Sequence, residues 1–111
     1  MARSFPLSNV LMLCMLLGAA SPVLAADQYP HRPVRLIIPY PPGGAGDIVG
    51  RMIGNGLAAA FGQQVVVDNR GGGGQIIATQ IAANATPDGY TLFLASATHA
   101  INPALRDKLP Y

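Results

Sequence analysis

The sequence predicts an α/β fold in which three parallel strands alternate with helices in the order β-α-β-α-β. Its apolar runs are continuous rather than alternating, which is typical of parallel strands covered on both faces. The first two runs end in turns rich in proline or glycine, and the segments between the runs have helical spacing. With right-handed crossovers and strand 3 paired to strand 1, the strand order is 2-1-3.

The first strand and helix follow from residues 34–62. Val34 to Pro39 is a buried strand that ends at the proline, which cannot donate to a ladder. Asp47 is the predicted N-cap of the first helix, and Gly62 is its C-terminal stop. Gly54 and Gly56 lower helix propensity, and close packing on a sheet is one reason to retain them. Helical spacing is shown by Ile48, Val49, Met52, Ile53 and Leu57.

The remaining elements are shorter. Val65 to Val67 is the second strand, and a run of four glycines leads into a helix over Gln75 to Asn84. A Pro-Asp-Gly turn precedes the third strand, Tyr90 to Leu94. Pro103 is predicted to begin a short last helix.

Residues 1–25 have the pattern of a secretory signal peptide. Arg3 supplies a positive charge, Val10 to Ala20 is an apolar core, and cleavage is expected near Ala25. The apolar run is shorter than a membrane span requires. Cys14 is the only cysteine and lies within this core, so the remaining domain, 26–111, has no disulfide. A periplasmic location is expected.

Composition excludes several functions. Only 11% of residues are charged and the net charge is +2 without a basic cluster, so neither nucleic acid nor a membrane surface is an expected partner. His31 and His99 lie in different contexts, which gives no metal set. No carboxylate is placed to orient His99 beside Ser96, so no catalytic triad, and no enzyme activity or cofactor, is expected.

Two loops meet at the predicted switch point: loop 1, residues 39–47, and loop 3, residues 95–102. Loop 1 offers the backbone N–H groups of Gly43, Gly44 and Gly46 and the positive end of a helix, which together suit an anion. Loop 3 adds uncharged hydrogen-bonding groups on Ser96 and Thr98. Two simpler interpretations stay open at this point. In the first, loop 1 is only a tight turn without a ligand. In the second, His99 is a structural residue.

A dinucleotide site is the main alternative. Gly44, Gly46 and Gly50 follow a strand and open a helix, and Asp68 ends the second strand where a ribose-binding acid is expected. The stiff insertion of residues 39–43 and the export signal both count against it. A nucleotide-binding enzyme fragment is therefore the second hypothesis.

Four blocks in the sequence are similar to the tripartite tricarboxylate transporter substrate-binding proteins, also called Bug-type receptors. They are YPHRPVRLIIPYPPGGAGD at residues 29–47, FGQQVVVDNR at 61–70, TPDGYTL at 86–92 and ASATHAINP at 95–103. The resemblance implies a two-lobed periplasmic "Venus flytrap" receptor that binds small carboxylates and passes them to membrane transporter subunits. It also implies a monomer. The ligand contacts it implies here are Tyr40, Pro42, Gly43, Gly44, Ala45, Asp47, Ser96, Thr98 and His99.

Two departures from the family pattern alter these expectations. Gly71 replaces a usual proline and Gln75 a usual glycine, which puts a ligand contact from that loop in doubt. Family members are also much longer, so we expect an incomplete first lobe, from either a truncated gene product or a partial gene model. Such a piece is expected to bind its carboxylate weakly or not at all alone, and a non-functional product is a third hypothesis.

Overall fold

The computed structural model describes residues 28–111, so the predicted signal peptide and its cleavage site lie outside the described residues. A parallel three-stranded sheet has the order β2-β1-β3, which confirms the predicted fold class. The strands are β1 (Val34–Ile38), β2 (Val65–Asn69) and β3 (Thr91–Phe93). The helices are α1 (Ala45–Phe61), α2 (Ile76–Ala83), which a 3-10 turn at Gly73–Gln75 precedes, and α3 (Ala97–Leu105).

The central strand β1 carries the core. Val34, Ile37 and Ile38 are fully buried and Leu36 nearly so, whereas β2 and β3 are only partly covered. Burying each such side chain contributes roughly 1.5–3 kcal/mol. The run VRLII, which is apolar except for Arg35, is the middle strand of the sheet, and its aliphatic side chains are buried. Helix α1 packs on β1 and β2, and α2 packs on β1 and β3.

Helix α1 faces the sheet with glycine rather than with its apolar stripe. Gly50 and Gly54 are buried, and an added Cβ at Gly54 would lie 3.6 Å from Leu36 Cδ2. Gly54 therefore lies on the face that packs on the sheet, as predicted, but at a distance that leaves room for a Cβ. Gly56 is exposed, with no atom within 4 Å of an added Cβ, so the same prediction for Gly56 is wrong. Exposed residues of the apolar stripe are Ile48, Val49, Met52 and Ile53.

Two predicted helix starts are wrong. The N-cap of α1 is Gly44, and Asp47 lies within the first turn because its carboxylate reaches back to the Gly43 N–H instead of capping a later one. Pro103 lies inside α3 rather than at its start. The start of α3 is set by Ser96, whose extended backbone precedes the first helical residue. The predicted end of α1 is confirmed, since Gly62 has a φ of 64° and donates to the Ala58 carbonyl.

The segment before β1 is tied to the amino edge of the sheet. The Tyr29 hydroxyl donates to the Gly89 carbonyl at 2.5 Å, and its ring packs edge-on against Phe61 and Tyr90. The Arg32 guanidinium lies 4.1 Å from the centre of the Tyr90 ring. Chain entry is therefore fixed beside the turn that leads into β3. No helix within residues 28–111 has the length and apolarity needed to cross a membrane.

Candidate functional site

An open cleft of about 400 Å³ lies at the carboxyl edge of the sheet, between loop 1 and loop 3. It forms there because β1 and β3 are neighbours while β2 lies on the other side of β1, so the two loops diverge above the sheet. The sequence predicted this position. The cleft is lined by Tyr40, Ala45, Gly46, Val49, Leu94, Ala95 and Ser96.

The first turn of α1 presents unused backbone donors to this cleft. The Gly44 carbonyl accepts from the Asp47 and Ile48 N–H groups, at 3.0 and 3.1 Å. The N–H groups of Ala45 and Gly46 donate to no acceptor within the described residues, and both residues line the cleft. Such donors at a helix N-terminus, together with the helix dipole, attract an anionic oxygen.

A second helix N-terminus points to the same edge. Ser96 is the N-cap of α3, but its side chain makes no capping hydrogen bond. Its hydroxyl instead donates to Gln75 Oε1 at 2.5 Å. Serine is a preferred N-cap residue, but the Ser96 hydroxyl therefore accepts no hydrogen bond from a backbone N–H of the first turn of α3. Loop 1 and loop 3 thus each bring an uncapped helix start to the cleft.

The Asp47 side chain stabilises the conformation of loop 1 through hydrogen bonds. Its side chain is buried and accepts hydrogen bonds from Gly43 N, Arg51 Nε and Asn69 Nδ2, at 2.9, 3.0 and 2.9 Å. The Gly43 N–H, followed by Arg51 and Asn69, lowers the pKa of Asp47 to about 2. Asn69 also donates to the Tyr40 carbonyl at 3.1 Å, so the end of β2 holds loop 1 in place. Both oxygens of the Asp47 carboxylate thus accept hydrogen bonds within the protein.

His99 lies in a packed cluster rather than in the cleft wall. Its ring stacks on Tyr111 and meets Phe93 edge-on, with both ring centroids 5.7 Å away. Its Nδ1 lies 3.5 Å from the Oγ1 of Thr79, a buried residue in the middle of α2. This environment favours the structural interpretation of His99.

The other predicted residues fall into two groups. Tyr40, Ala45 and Ser96 line the cleft. Pro42 and Gly43 are exposed on loop 1, Gly44 is half-buried at the helix start, and Thr98 is half-buried on α3. None of these four belongs to the residues that line the cleft.

Two apolar walls were not predicted. Val49 follows loop 1 on α1, and Leu94 is the residue just after β3. Leu94 could have been found, because the last residues of a parallel strand border a switch-point site. Among residues 28–111, no lysine or arginine lines the cleft, so an anion there is met by N–H and hydroxyl donors beside apolar side chains.

Packing accounts for two of the three glycines that suggested a dinucleotide site, and ion pairs account for Asp68. A Cβ added at Gly46 would lie 2.2 Å from Tyr40 Cδ2, and one at Gly50 would lie 2.2 Å from Ile38 Cδ1. Asp68 is paired with Arg35 and with Arg70. Burial opposes its ionisation, but these hydrogen bonds outweigh burial and hold the pKa of Asp68 below its usual value. Among residues 28–111, no group of three His, Cys, Asp or Glu side chains could hold a metal ion.

Comparison with known proteins identifies the family of this chain. Residues 49–111 match the family described as the tripartite tricarboxylate transporter family receptor. Protein BugT of Bordetella pertussis is 44% identical over 96 residues, which cover 85% of this chain and 29% of BugT. The chain thus spans about three tenths of the length of this curated relative.

Similar solved structures include two that contain an organic acid. MatC from Rhodopseudomonas palustris with bound malate has a TM-score of 0.69 and 37% identity, covering 75% of this chain and 29% of MatC. An R. palustris protein with adipate has a TM-score of 0.58 and 37% identity, covering 60% of this chain and 22% of that protein. Other similar structures are described as periplasmic or solute-binding proteins.

Proposed function

Because the chain belongs to the tripartite tricarboxylate transporter family of receptors, we propose that it binds a small organic acid through one carboxylate at the cleft between loop 1 and loop 3. Members of this family are periplasmic solute-binding proteins and not enzymes. The observation that carries this proposal is the pair of unused N–H groups, on Ala45 and Gly46, at the first turn of α1. Malate in MatC and adipate in the R. palustris protein support a carboxylate as the ligand class.

Binding in this proposal is reversible, and no covalent bond is made or broken. One carboxylate oxygen accepts from the Ala45 and Gly46 N–H groups, and the α1 dipole stabilises its charge. Val49 and Leu94 contact the carbon skeleton next to this carboxylate. Arg51 offsets the charge of Asp47 close by, so the ligand does not meet an uncompensated negative charge.

Binding by this chain alone is weak in this proposal. The cleft is open on the side away from the sheet, and ligand sites that bind tightly bury most of the ligand surface. The family relationship supports a further lobe that closes on the ligand, and membrane transporter subunits that receive the ligand. It likewise supports export, with cleavage of the leader near Ala25. Mass spectrometry of a periplasmic fraction tests the last point, because cleavage there gives a product that begins at Ala26.

The N–H donors can be tested one at a time. Ala45 is the first residue of α1, a position that tolerates proline because its N–H has no helical partner. Gly44 has φ −83° and ψ 170°, a conformation that a following proline allows. Ala45→Pro therefore removes one ligand donor and leaves the helix intact. Ala45→Ser keeps the N–H and serves as the matched control.

The measurement is titration with adipate and with malate, followed by amide chemical shifts. We expect the Ala45 and Gly46 amides to shift, and the neutral diamide of adipic acid to leave them unchanged. Ala45→Pro should weaken adipate binding by roughly tenfold, and Ala45→Ser should leave it unchanged. Equal shifts with the diamide, or no shift with either acid, would refute carboxylate capture at this cleft.

A further inference from the structure

A second cavity of about 400 Å³ lies at the amino edge of the sheet, at the opposite end of β1 from the cleft. It forms where the segment that enters β1, the end of α2 and the turn before β3 come together. We call it the amino-edge pocket, and its lining residues are Arg32, Pro33, Arg35, Asn84, Ala85, Thr86, Asp88, Tyr90 and Thr91. Most of these residues are polar or charged, so the pocket suits a different class of ligand from the cleft.

Arg35 is the only charged residue of the central strand β1. Its Nε and Nη2 both donate to Asp68 Oδ2, the first at 2.8 Å. The Asp68 carboxylate also accepts from Arg70 Nε at 2.8 Å, so one negative charge is shared between two guanidinium groups. Asp68 therefore orients Arg35 without fully offsetting the positive charge that Arg35 brings to the pocket.

Arg32 is fixed by contacts with the turn before β3. Its guanidinium lies over the Tyr90 ring, and its Nη2 donates to Asp88 Oδ2 at 2.8 Å. Asp88 Oδ1 accepts the Tyr90 N–H at 2.9 Å, which fixes the carboxylate as well. Among residues 28–111, Asp88 is the only acid that lines the pocket. Two guanidinium groups against one carboxylate leave the lining with one net positive charge.

Both guanidinium groups have unused donors. The five N–H groups of a guanidinium lie in one plane and match the oxygens of a carboxylate or a phosphate in pairs. Within residues 28–111, neither the Nη1 of Arg35 nor the Nε and Nη1 of Arg32 donate to an acceptor. Because their contacts already orient both side chains, binding an anion costs little further side-chain entropy.

We propose that the amino-edge pocket binds a compact oxyanion such as inorganic phosphate through the unused N–H groups of Arg32 and Arg35. A phosphate has enough oxygens to pair with both guanidinium groups at once, whereas one bidentate pair uses both oxygens of a carboxylate. Thr86 and Thr91 also line the pocket and supply hydroxyl donors for the remaining oxygens. The pocket is separate from the cleft, and neither site depends on the other.

The test is titration of the nitrogen-15-labelled full chain with sodium phosphate at constant ionic strength. Binding is followed through the backbone amides of Thr86 and Thr91, here called the pocket amides. The cleft amides, those of Ala45 and Gly46, are followed in the same spectra. A parallel titration with adipate compares an organic carboxylate at the same ionic strength.

Three arginines are changed. Arg32→Gln removes one guanidinium group from the pocket, and Arg35→Lys keeps the positive charge but has no planar set of donors. Arg106 is exposed and lies outside the pocket, so Arg106→Gln and Arg106→Lys are the matched controls. The melting temperature of each variant is measured as well. Arg32→Gln should stay close to the wild type, because an exposed ion pair contributes little to stability.

We expect the pocket amides to shift at a lower phosphate concentration than the cleft amides, and adipate to give the reverse order. Arg32→Gln and Arg35→Lys should each weaken phosphate binding at the pocket by roughly tenfold. The two Arg106 variants should bind phosphate as the wild type does. Arginines with only a structural role would instead give lower melting temperatures with unchanged phosphate affinity.

Three results would overturn the inference. The first is the absence of any phosphate-dependent shift of the pocket amides. The second is an equal loss of affinity in Arg32→Gln and Arg106→Gln, which would show attraction to the general positive charge of the chain. The third is an adipate affinity at the pocket equal to that of phosphate. If Arg35→Lys does not fold, Arg32→Gln decides alone. Failure of adipate to shift the cleft amides would refute only the proposed function.

Discussion

Substitution of Gly50 by alanine tests how α1 contacts the sheet. A Cβ at this position would lie 2.2 Å from Ile38 Cδ1, 3.0 Å from Ile38 Cγ1 and 3.4 Å from Leu94 Cδ2. The nearest atom ends a side chain, but Ile38 is fully buried and has little space to turn away. The new methyl group must therefore move the helix or the core.

The magnitude follows from two opposing effects. Alanine in place of glycine inside a helix stabilises it by about 0.8–1.0 kcal/mol. Overpacking a filled core costs about 1–3 kcal/mol. Gly50→Ala should thus range from nearly neutral to a loss of about 2 kcal/mol in the free energy of unfolding. Gly56→Ala, which meets no atom within 4 Å, should receive the helical gain alone.

The difference between these two variants isolates the clash, because helix propensity contributes equally to both. We expect Gly50→Ala to be less stable than Gly56→Ala by about 1–3 kcal/mol, which for a domain of this size is a difference of roughly 4–8 °C in melting temperature per kcal/mol. Urea unfolding followed by circular dichroism measures both. Gly54→Ala is a further control, because its Cβ would meet Val67 Cγ2 at an ordinary 3.5 Å and should stabilise.

Equal stability of Gly50→Ala and Gly56→Ala would refute this account of the helix–sheet contact. It would mean that α1 can rotate or lift from β1 without cost, and the position of loop 1 above the cleft would then lose its support.

Three further predictions concern the cleft and the surface. The lowered pKa of Asp47 stabilises the fold above pH 3.8, the ordinary pKa of the carboxyl group, and this contribution is lost as the pH falls through about 2. The melting temperature of the wild type should therefore fall more steeply over this pH interval than that of Asp47→Asn. Identical pH profiles would contradict the bracing of loop 1 by Asp47. Gly46→Ala places a Cβ 2.2 Å from Tyr40 Cδ2 and should change the near-UV circular dichroism of tyrosine while the far-UV spectrum stays the same. An unchanged near-UV spectrum would show that the ring does not contact α1. Met52 is 69% exposed in the apolar stripe of α1, so Met52→Lys should reduce the fluorescence of a bound apolar dye, with Asn55→Lys as a charge-matched control that does not.

The strands were predictable because their signal is local. VRLII is apolar except for Arg35, the valine run at residues 65–67 is apolar throughout, and a loop that contains proline or glycine follows each of them. The strand order needed only the rules of doubly wound sheets, and it placed the cleft correctly between loop 1 and loop 3.

Which face of α1 packs on the sheet was less accessible. Helical periodicity of Ile48, Val49 and Met52 identifies a helix, but the buried face is formed by Gly50 and Gly54, which contribute no hydrophobic side chain to the pattern. That the glycines form the buried face can be inferred only when the position of Ile38 opposite Gly50 is known. Periodicity alone therefore indicated the element and not its orientation.

Side-chain partners of the site were the least predictable part. Ser96 has the sequence preference of an N-cap, yet its hydroxyl is directed to Gln75, which is 21 residues away. Asp47 has the same preference and instead contacts Gly43, Arg51 and Asn69. Both choices depend on contacts between separate elements, and propensity carries no information on those contacts.

The anchored chain entry has a practical consequence for labelling. Tyr29 holds the start of the described chain beside Gly89, at the opposite edge of the sheet from the cleft. The five residues of β1 separate these edges by about 15 Å at the usual rise per residue. A fluorophore or affinity tag joined ahead of Tyr29 would be tethered at the edge of the sheet opposite the cleft, so immobilisation through that end leaves the carboxyl edge facing the solution.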